Sequence, residues 1–212
     1  MSRVLIFANG ELPDLARARA LLHPDDLILC ADGGTQHALA LGVTPELIIG
    51  DLDSLTQEAQ ALLEGQGVRI VQHPRDKNET DLELTLQHAL ERQPSSILII
   101  GALGNRLDQM LANLALVSDS KFSGIDVRLD DGVEEAFFCR GRSEVRGAAG
   151  DLVSLIPWGQ PVVGVRTENL KWPLDGETLY PQGTRGISNE LLRETAAVSL
   201  SSGLLLVVHR RQ

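Results

Sequence analysis

The stretch LILCADGGTQHALALGVTPELIIGDLDS, residues 27–54, contains the pattern that decides the fold. It starts with an apolar run at residues 27–31, continues with TQHALALG, and reaches a second apolar run at residues 47–49. Apolar runs without alternation are typical of strands buried on both faces, and the three- and four-residue apolar spacing between them is typical of a helix. The stretch therefore predicts a strand-helix-strand unit with parallel strands.

The same pattern continues on both sides of this stretch. Further apolar runs occupy residues 4–8, 68–71 and 97–100, separated by the helix-like segments LPDLARARALL, LTQEAQALLE and TDLELTLQHALERQ. Ser54 with Gln57, and Thr80 with Glu83, match the capping box that marks helix starts. We therefore predict that residues 1–122 form an α/β domain, a mostly parallel sheet flanked by helices.

The pattern of apolar and polar residues changes after the segment KFSG, residues 121–124. The following residues form short runs with strand character, namely IDVRL, EEAFFC, LVSLI, VVGV, AAVSL and LLLVVH. Gly, Pro and Asn separate these runs, and long helical periodicity is missing. Residues 123–212 are therefore predicted to be a second, all-β domain.

Composition excludes several classes of protein. The 212 residues are 43% apolar and 23% charged, as in globular proteins, and no apolar run approaches the roughly 18 residues of a membrane span. The net charge of -10 has the wrong sign for binding nucleic acid. The two cysteines, Cys30 and Cys139, lie in apolar or aromatic runs, which indicates buried thiols in a reducing compartment. We expect a cytoplasmic protein that binds neither nucleic acid nor membranes.

Carboxylates and glycines dominate the loops that follow the predicted parallel strands. These loops are NGE at 9–11, DGG at 32–34, GDLDS at 50–54, HPRDKNETD at 73–81 and GALGNRLD at 101–108. Ligands of open parallel sheets bind outside the carboxyl ends of the strands. We therefore expect Asp32, Asp51, Asp53 and Asp81 to converge at one edge of the sheet, with Asp108 as a further candidate.

Crowded carboxylates repel one another unless a cation compensates them. Oxygen ligands alone favour Mg²⁺, which usually binds substrate phosphates as well, so the pattern indicates a nucleoside triphosphate. Asp51 and Asp53 are two residues apart and can share an ion. Gly33 and Gly34 would let the backbone approach phosphates, and Lys77 and Arg106 could offset phosphoryl charge.

Ordinary structural roles compete with each of these interpretations. Asp and Gly after strands are common turn residues, and Ser54 fits a helix cap better than a nucleophile. Arg75 and Lys77 lie in a very polar loop, where a solvated surface role is equally expected. The five histidines have surface, terminal or loop contexts, so none is assigned a chemical role. The motifs of P-loop proteins, serine hydrolases, protein kinases and GxGxxG dinucleotide-binding folds are absent.

Four segments together resemble the thiamine pyrophosphokinase family. They are ADGGTQHALALGVTPELIIGDLDS, DKNETDLELTLQHAL, GALGNRLDQMLANL and GISNELLRETAAVSLSSGLLLVV, in the order and spacing of that family. The resemblance extends from about residue 9 to residue 208. It implies an α/β nucleotide-binding domain followed by a β-sandwich, and transfer of pyrophosphate from ATP to the thiamine hydroxyl.

The resemblance also implies roles for particular residues. Magnesium and phosphates are expected near Asp51, Asp53 and Asp81, which with Arg106 form the predicted catalytic set. The predicted nucleotide- and thiamine-binding residues are Asp32, Gly33, Gly34, Lys77, Thr80, Arg106, Asp108, Gln109, Asn113, Ser188 and Asn189. In this family, the GISN stretch with Ser188 and Asn189 contacts the pyrimidine ring from the partner subunit of a homodimer, so the resemblance implies an active site at a subunit interface.

Two departures and two alternatives accompany the resemblance. Asn169 stands where the family pattern has glycine, and Trp172 where it has tyrosine; Trp158 and Trp172 fit packing better than ring stacking. One alternative is a pyrophosphokinase for another heterocyclic alcohol, such as a hydroxymethylpterin. The other is a non-catalytic module that senses a nucleotide or thiamine.

Overall fold

The computed structural model describes residues 3–104 and 106–212, and it divides into two compact units that separate after Gly132. The strands of the first unit are β1 (Arg3–Phe7), β2 (Leu27–Ala31), β3 (Leu47–Gly50), β4 (Arg69–Gln72), β5 (Ser96–Ile100) and β6 (Asp126–Asp130). Its helices are α1 (Leu15–Ala20), α2 (Gly34–Ala40), α3 (Gln57–Gly65), α4 (Asp81–Glu91) and α5 (Leu107–Ser118), followed by a 3-10 turn at Ser120–Phe122.

The first-unit strands pair in the order β6-β5-β1-β2-β3-β4, and each pair is parallel. The chain runs outward from β1 to β4 and then returns to the other side of β1 with β5. Strand order therefore reverses between β1 and β5, which opens a crevice at the carboxyl ends of these two strands. The predicted parallel α/β architecture is confirmed.

Burial explains why the strand sequences are continuously apolar. Leu5 and Phe7 of β1 pack with Ala18 of α1 and Ala38 of α2 on one face of the sheet. Helix α4 packs against β2 and β3 and buries an apolar stripe of its own. With helices covering it, the sheet has no polar face to alternate with an apolar one.

The two predicted capping boxes have different outcomes. Thr80 caps α4, because its hydroxyl accepts a hydrogen bond from the Glu83 amide at 3.1 Å, as predicted. The cap predicted at Ser54 is wrong: α3 begins at Gln57, and Thr56 is its capping residue. The Ser54 hydroxyl is thereby free for a contact described below.

Strand β6 belongs to the first unit, although its sequence, IDVRL, was expected in the second domain. It pairs in parallel with β5 from Ser96↔Asp126 to Ile99↔Leu129. The compact units accordingly separate after residue 132, ten residues beyond the predicted boundary. The sequence of a short strand does not indicate which sheet the strand joins. The change in sequence pattern alone therefore places the boundary too early.

The second unit consists of strands that form two antiparallel sheets. They are β7 (Glu134–Cys139), β8 (Arg142–Arg146), β9 (Leu152–Pro157), β10 (Val162–Glu168), β11 (Asp175–Leu179), β12 (Asn189–Glu190), β13 (Thr195–Ser199) and β14 (Leu205–Arg210). Within this unit the strand orders are β12-β9-β14-β7 and β11-β10-β13-β8. Apolar residues from both sheets form one core, so the predicted all-β sandwich is confirmed.

The exposure of His209 differs from the prediction, which placed this residue at the surface near the end of the chain. Its side chain is fully buried in β14 of the second unit. No helix among the described residues combines the length and apolar character that crossing a bilayer requires.

Candidate active site

Three aspartates meet at the carboxyl edge of the first-unit sheet. Asp32 follows β2, and Asp51 and Asp53 follow β3, its neighbour in the sheet. One carboxylate oxygen from each lies within 4.8 Å of the others. At this spacing the three side chains, here called the aspartate triad, could coordinate one ion.

Local backbone geometry holds the aspartate triad together. Gly50 ends β3, and a β carbon on Gly50 would lie 2.6 Å from Cβ of Asp32, so any side chain there would push the two loops apart. Leu52 has a φ of 65°, in the left-handed region. In this tight turn the Asp53 amide donates to Asp51 Oδ1 at 3.2 Å.

Asp32 is the buried member of the triad, with 7% of its surface exposed. The Ser54 hydroxyl donates to Asp32 Oδ2 at 2.5 Å, and it also lies 3.4 Å from Asp53 Oδ1. Asp32 Oδ1 is buried and has no hydrogen-bond partner among the described residues. A buried carboxylate oxygen without a partner is costly, and a cation would satisfy it.

A cavity of about 460 Å³ adjoins the triad in the crevice where strand order reverses. Its walls contain these predicted site residues: Asp32, Asp51, Lys77, Thr80, Asp81, Arg106, Gln109 and Asn113. The other predicted first-unit residues, Asp53, Asp108, Gly33 and Gly34, lie outside the lining. The cavity wall thus combines carboxylates with cations and amides.

Gly33 and Gly34 serve packing in the described structure. A β carbon on Gly34 would lie 2.1 Å from the Phe7 carbonyl oxygen, and one on Gly33 would lie 2.5 Å from the Asn9 side chain. The two glycines therefore let the start of α2 pass close to the end of β1.

Asp81 does not join the aspartate triad. Lys77 Nζ lies 2.8 Å from Asp81 Oδ1, and the Lys77 side chain is only 12% exposed. Both residues line the cavity. The structure therefore brings Asp32, instead of Asp81, next to Asp51 and Asp53, because β2 and β3 are adjacent strands.

Arg75 lies beside the triad. From the sequence, a role in the site and a solvated surface position were equally expected for it. Its Nη2 atom is 3.3 Å from Asp53 Oδ2, and its Nε atom is 3.9 Å from Asp51 Oδ2. The Arg75 side chain is 83% exposed and also lines the cavity. It therefore supplies positive charge to two of the three triad carboxylates.

The loop before α5 contributes a second ion pair. Arg106 Nη2 donates to Asp108 Oδ2 at 2.5 Å, and both side chains are largely exposed. This hydrogen bond lowers the pKa of Asp108 and raises that of Arg106, so the pair stays charged at neutral pH. Asn113 is buried and donates to the Ala102 carbonyl at 2.9 Å, whereas Gln109 is exposed.

Gly10 and Gly101 also line the cavity, although neither belongs to the predicted set of site residues. The Gly10 amide donates to the Gly101 carbonyl at 2.7 Å, which joins the ends of β1 and β5. His37 Nε2 lies 2.7 Å from the Gly10 carbonyl oxygen, a hydrogen bond from α2 to the same loop. The post-strand position of NGE was a signal for Asn9 and Gly10. The contact of His37 with a residue 27 positions away has no local signature.

Ser188 and Asn189 lie in the second unit. Asn189 is buried: its Nδ2 donates to the Trp172 carbonyl at 2.7 Å, and its Oδ1 accepts from the Trp172 amide at 3.0 Å. Ser188 is exposed with a φ of 56°, and its amide donates to Ser154 Oγ at 3.1 Å. Both residues line a concavity of about 500 Å³ within this unit. Asn189 is therefore an anchor for the Trp172 segment.

The two tryptophans have different surroundings in the second unit. Trp158 packs edge-to-face on Phe138, with ring centroids 5.3 Å apart, which agrees with a packing role. Trp172 is 46% exposed, with Lys171 Nζ 4.7 Å from its ring centroid. Nearby in sequence, Asn169 has a φ of 60°, so the position where the family pattern has glycine does require left-handed backbone, which asparagine tolerates.

Comparison with protein families gives two matches. A family model described as thiamin pyrophosphokinase, catalytic domain, matches residues 18–129. A second, described as thiamin pyrophosphokinase, vitamin B1 binding domain, matches residues 142–205.

Individual relatives match over nearly the whole chain. Thiamine pyrophosphokinase from Bacillus subtilis (strain 168) is 29% identical to this chain, and the alignment covers 98% of each chain. Thiamine pyrophosphokinase 1 from Oryza sativa subsp. japonica is 28% identical, and the alignment covers 98% of this chain and 87% of the rice protein. Among solved structures, thiamine pyrophosphokinase from Bacillus subtilis superposes with a TM-score of 0.88 at 26% identity, covering 100% of both chains. A thiamin pyrophosphokinase family protein from Enterococcus faecalis has a TM-score of 0.82 at 29% identity, with the same coverage.

Proposed function

Because the chain belongs to the thiamin pyrophosphokinase family, we propose that it transfers the β,γ-pyrophosphoryl group of ATP to the hydroxyl of thiamine, giving thiamine diphosphate and AMP. The observation that carries this proposal is the aspartate triad beside a cavity of about 460 Å³ at the switch in strand order. The comparisons do not favour the pterin or sensing alternatives.

The triad fits a magnesium ion in its donor chemistry. Its ligands are oxygens only, and the buried Asp32 Oδ1 has no other partner among the described residues. We propose that Asp51 and Asp53 hold the ion with Asp32, and that Asp81, on the wall of the same cavity, completes the set. When bound, magnesium supplies positive charge that offsets charge on the phosphoryl oxygens.

The cations and amides of the cavity suit the polyphosphate of ATP. Lys77 is held by Asp81, and Arg106 by Asp108, so each presents its charge from a restrained position. We propose that Thr80, Gln109 and Asn113 add hydrogen bonds along the same wall. Such restrained donors stabilise developing negative charge without having to reorganise.

The acceptor hydroxyl must lose its proton as the new bond forms. Its oxygen forms a bond to the β-phosphorus of ATP, while the bond from that phosphorus to the oxygen bridging to the α-phosphorus breaks and AMP leaves. We propose that a carboxylate of the cavity accepts the hydroxyl proton, because an alcohol is too weakly acidic to ionise alone. Thiamine is itself a cation, which the acidic cavity would attract.

We further propose a homodimer in which the second unit of one subunit supplies Ser188 and Asn189 to thiamine bound by its partner. Exposed apolar side chains in this unit support an interface, since a surface of this kind is usually covered. They are Trp172, Tyr180, Ile187 and Leu192, each at least 44% exposed. Sedimentation equilibrium tests this proposal, and a monomer at micromolar concentration contradicts it.

Cytoplasmic residence is part of the same proposal. Both cysteines are free and buried, and ATP is a cytoplasmic substrate. The net charge of -10 favours neither nucleic acid nor anionic membranes as a partner.

The test of the activity is direct. Purified full-length protein is mixed with ATP, Mg²⁺ and thiamine, and AMP and thiamine diphosphate are followed by chromatography. Both products should appear in equal amounts; ADP in place of AMP contradicts pyrophosphoryl transfer. A panel containing a hydroxymethylpterin distinguishes the acceptor, and calorimetric binding without turnover would favour a sensing module.

A further inference from the structure

Arg75 shares two carboxylates with the proposed magnesium site. It lies in the loop after β4, with Nη2 at 3.3 Å from Asp53 Oδ2 and Nε at 3.9 Å from Asp51 Oδ2. The inference drawn from this contact rests on the proposed function, because it assumes that these aspartates hold a divalent cation.

A divalent cation on Asp51 and Asp53 would displace the Arg75 guanidinium. Both positive groups need the same carboxylate oxygens, and like charges at such short range repel strongly. The Arg75 contacts are easily broken, since its side chain is 83% exposed and the 3.9 Å contact is longer than a hydrogen bond. The guanidinium therefore competes with the cation, but weakly.

The displaced guanidinium has an anion within reach once ATP is bound. Arg75 lines the same cavity as Lys77 and Arg106, the walls that we assign to the polyphosphate. A guanidinium binds phosphate with two parallel hydrogen bonds, which an exposed and unrestrained side chain can rotate to form.

Lys77 lies in the same loop but is more tightly paired. Its side chain is only 12% exposed and its Nζ atom lies 2.8 Å from Asp81, a close and shielded pair. Of the two cations, Arg75 thus has the contacts that are more easily exchanged.

We propose that Arg75 is an exchangeable counter-cation: it lies on Asp51 and Asp53 before the metal binds, and it moves onto the polyphosphate when metal and nucleotide arrive together. Arg75 thereby weakens binding of the metal alone and strengthens binding of the metal-nucleotide complex. The two ligands become positively coupled, because each favours the same position of one side chain.

The test compares Arg75→Gln with a matched control, Arg92→Gln. Arg92 ends α4 and pairs with Glu46 at 2.6 Å, just before β3 and so at the opposite end of the strands from the triad. Binding of Mn²⁺ alone to full-length protein is measured by electron paramagnetic resonance, and KM for ATP is measured with saturating Mg²⁺ and thiamine.

Arg75→Gln should bind Mn²⁺ about threefold more tightly, the scale of losing one exposed ion pair. Its KM for ATP should rise about tenfold, the scale of losing a charged hydrogen bond. Arg92→Gln should match wild type in both measurements. Arg75→Lys should keep the wild-type Mn²⁺ affinity, because it retains the charge, and should recover only part of the ATP affinity.

Unchanged or weaker Mn²⁺ binding by Arg75→Gln overturns the proposal, and so does an unchanged KM for ATP. Opposite changes in the two affinities support it, since loss of structure would weaken both. If wild-type protein makes no AMP or thiamine diphosphate, the proposed function fails, whereas the Mn²⁺ measurement still tests the competition by itself.

Discussion

Each unit contains a group of acidic side chains, and the two groups differ in how their charge is compensated. In the second unit, Asp151 accepts hydrogen bonds from the Ala148 and Gln212 amides, both at 2.9 Å. The fully buried His209 lies between two carboxylates, with Nε2 at 3.0 Å from Asp151 and Nδ1 at 3.5 Å from Glu135. The counter-charge for these two carboxylates is therefore a buried side chain of the same unit, and His209 Nδ1 itself has no hydrogen-bond partner among the described residues.

The aspartate triad of the first unit is compensated differently. Asp32 Oδ1 has no hydrogen-bond partner in the described part of the chain, and Arg75, the cation that pairs with Asp51 and Asp53, is a largely exposed side chain. Acidic residues thus pair with a buried cation in the second unit and with an exposed, easily broken one at the triad, and the second arrangement suits the proposed metal binding. The difference teaches that the burial of the counter-charge, and not the presence of carboxylates, distinguishes the two groups.

Replacing a triad carboxylate should give the largest effect. We expect Asp53→Asn to lower kcat by about a thousandfold, because one charged ligand of the proposed cation is lost. The free energy of unfolding should stay within about 0.5 kcal/mol of wild type or rise, since repulsion in the triad is relieved. Steady-state kinetics and urea denaturation measure the two effects.

The control for this change is Asp126→Asn on β6, an exposed carboxylate that lies 3.0 Å from Arg128 at the other end of the strands. Its activity should equal that of wild type. A fully active Asp53→Asn protein would remove the triad from the mechanism.

The buried group should respond in the opposite way. We expect His209→Gln to lower the free energy of unfolding by about 3 kcal/mol, because two buried carboxylates lose their shared counter-charge. His88→Gln, at a partly exposed pair with Glu91 on α4, is the matched control and should change stability by less than about 0.5 kcal/mol. Equal stability of the two variants in urea would show that the buried group does not stabilise the fold.

The pH dependence of stability tests whether the charge on His209 stabilises the second unit. Burial opposes the charged form of His209, but the Glu135 and Asp151 carboxylates outweigh it and raise the pKa above its ordinary value of 6.5. The stabilisation is therefore complete below pH 6.5 and is lost as pH rises through the raised pKa. Thermal unfolding of wild type and His209→Gln from pH 6 upward should show the gap in Tm narrowing; a constant gap contradicts this origin.

The smallest expected effect concerns Ser54. Its hydroxyl donates to Asp32 Oδ2 at 2.5 Å and orients that carboxylate in the triad. We expect Ser54→Ala to lower kcat about fivefold, the scale of one ordinary hydrogen bond, with Ser54→Thr restoring most of it. Equal loss in the alanine and threonine variants would mean that packing, and not the hydroxyl, matters at this position.

Much of the architecture was predictable because it rests on local patterns. Unpatterned apolar runs predicted the buried parallel strands, and Thr80 with Glu83 predicted the start of α4. The GDLDS loop was recognised from its position after β3, and the four quoted segments from their order along the chain. Apart from the order of the four segments, each of these signals lies within a few residues of the feature it predicts.

Long-range contacts account for what was missed. The sequence pattern places β6 in the second domain, predicts a helix cap at Ser54 and predicts a surface position for His209, and the structure differs at all three. In each case the deciding neighbour is remote in the chain: β5 for β6, Asp32 for Ser54, and Asp151 for His209. The sequence of a short segment does not indicate which distant residues it contacts in the folded chain.

From its local patterns alone, the chain specifies a parallel α/β unit, an all-β unit and acidic loops at one sheet edge, because strand burial and turn chemistry act between near neighbours. Which carboxylates lie close enough to share an ion was decided by strand order, since β2 and β3 are adjacent and thereby bring Asp32 to Asp51 and Asp53. Compensation of charge is a property of the folded surroundings, and it separates the cluster around His209, whose counter-charge is buried, from the triad, whose counter-charge is exposed.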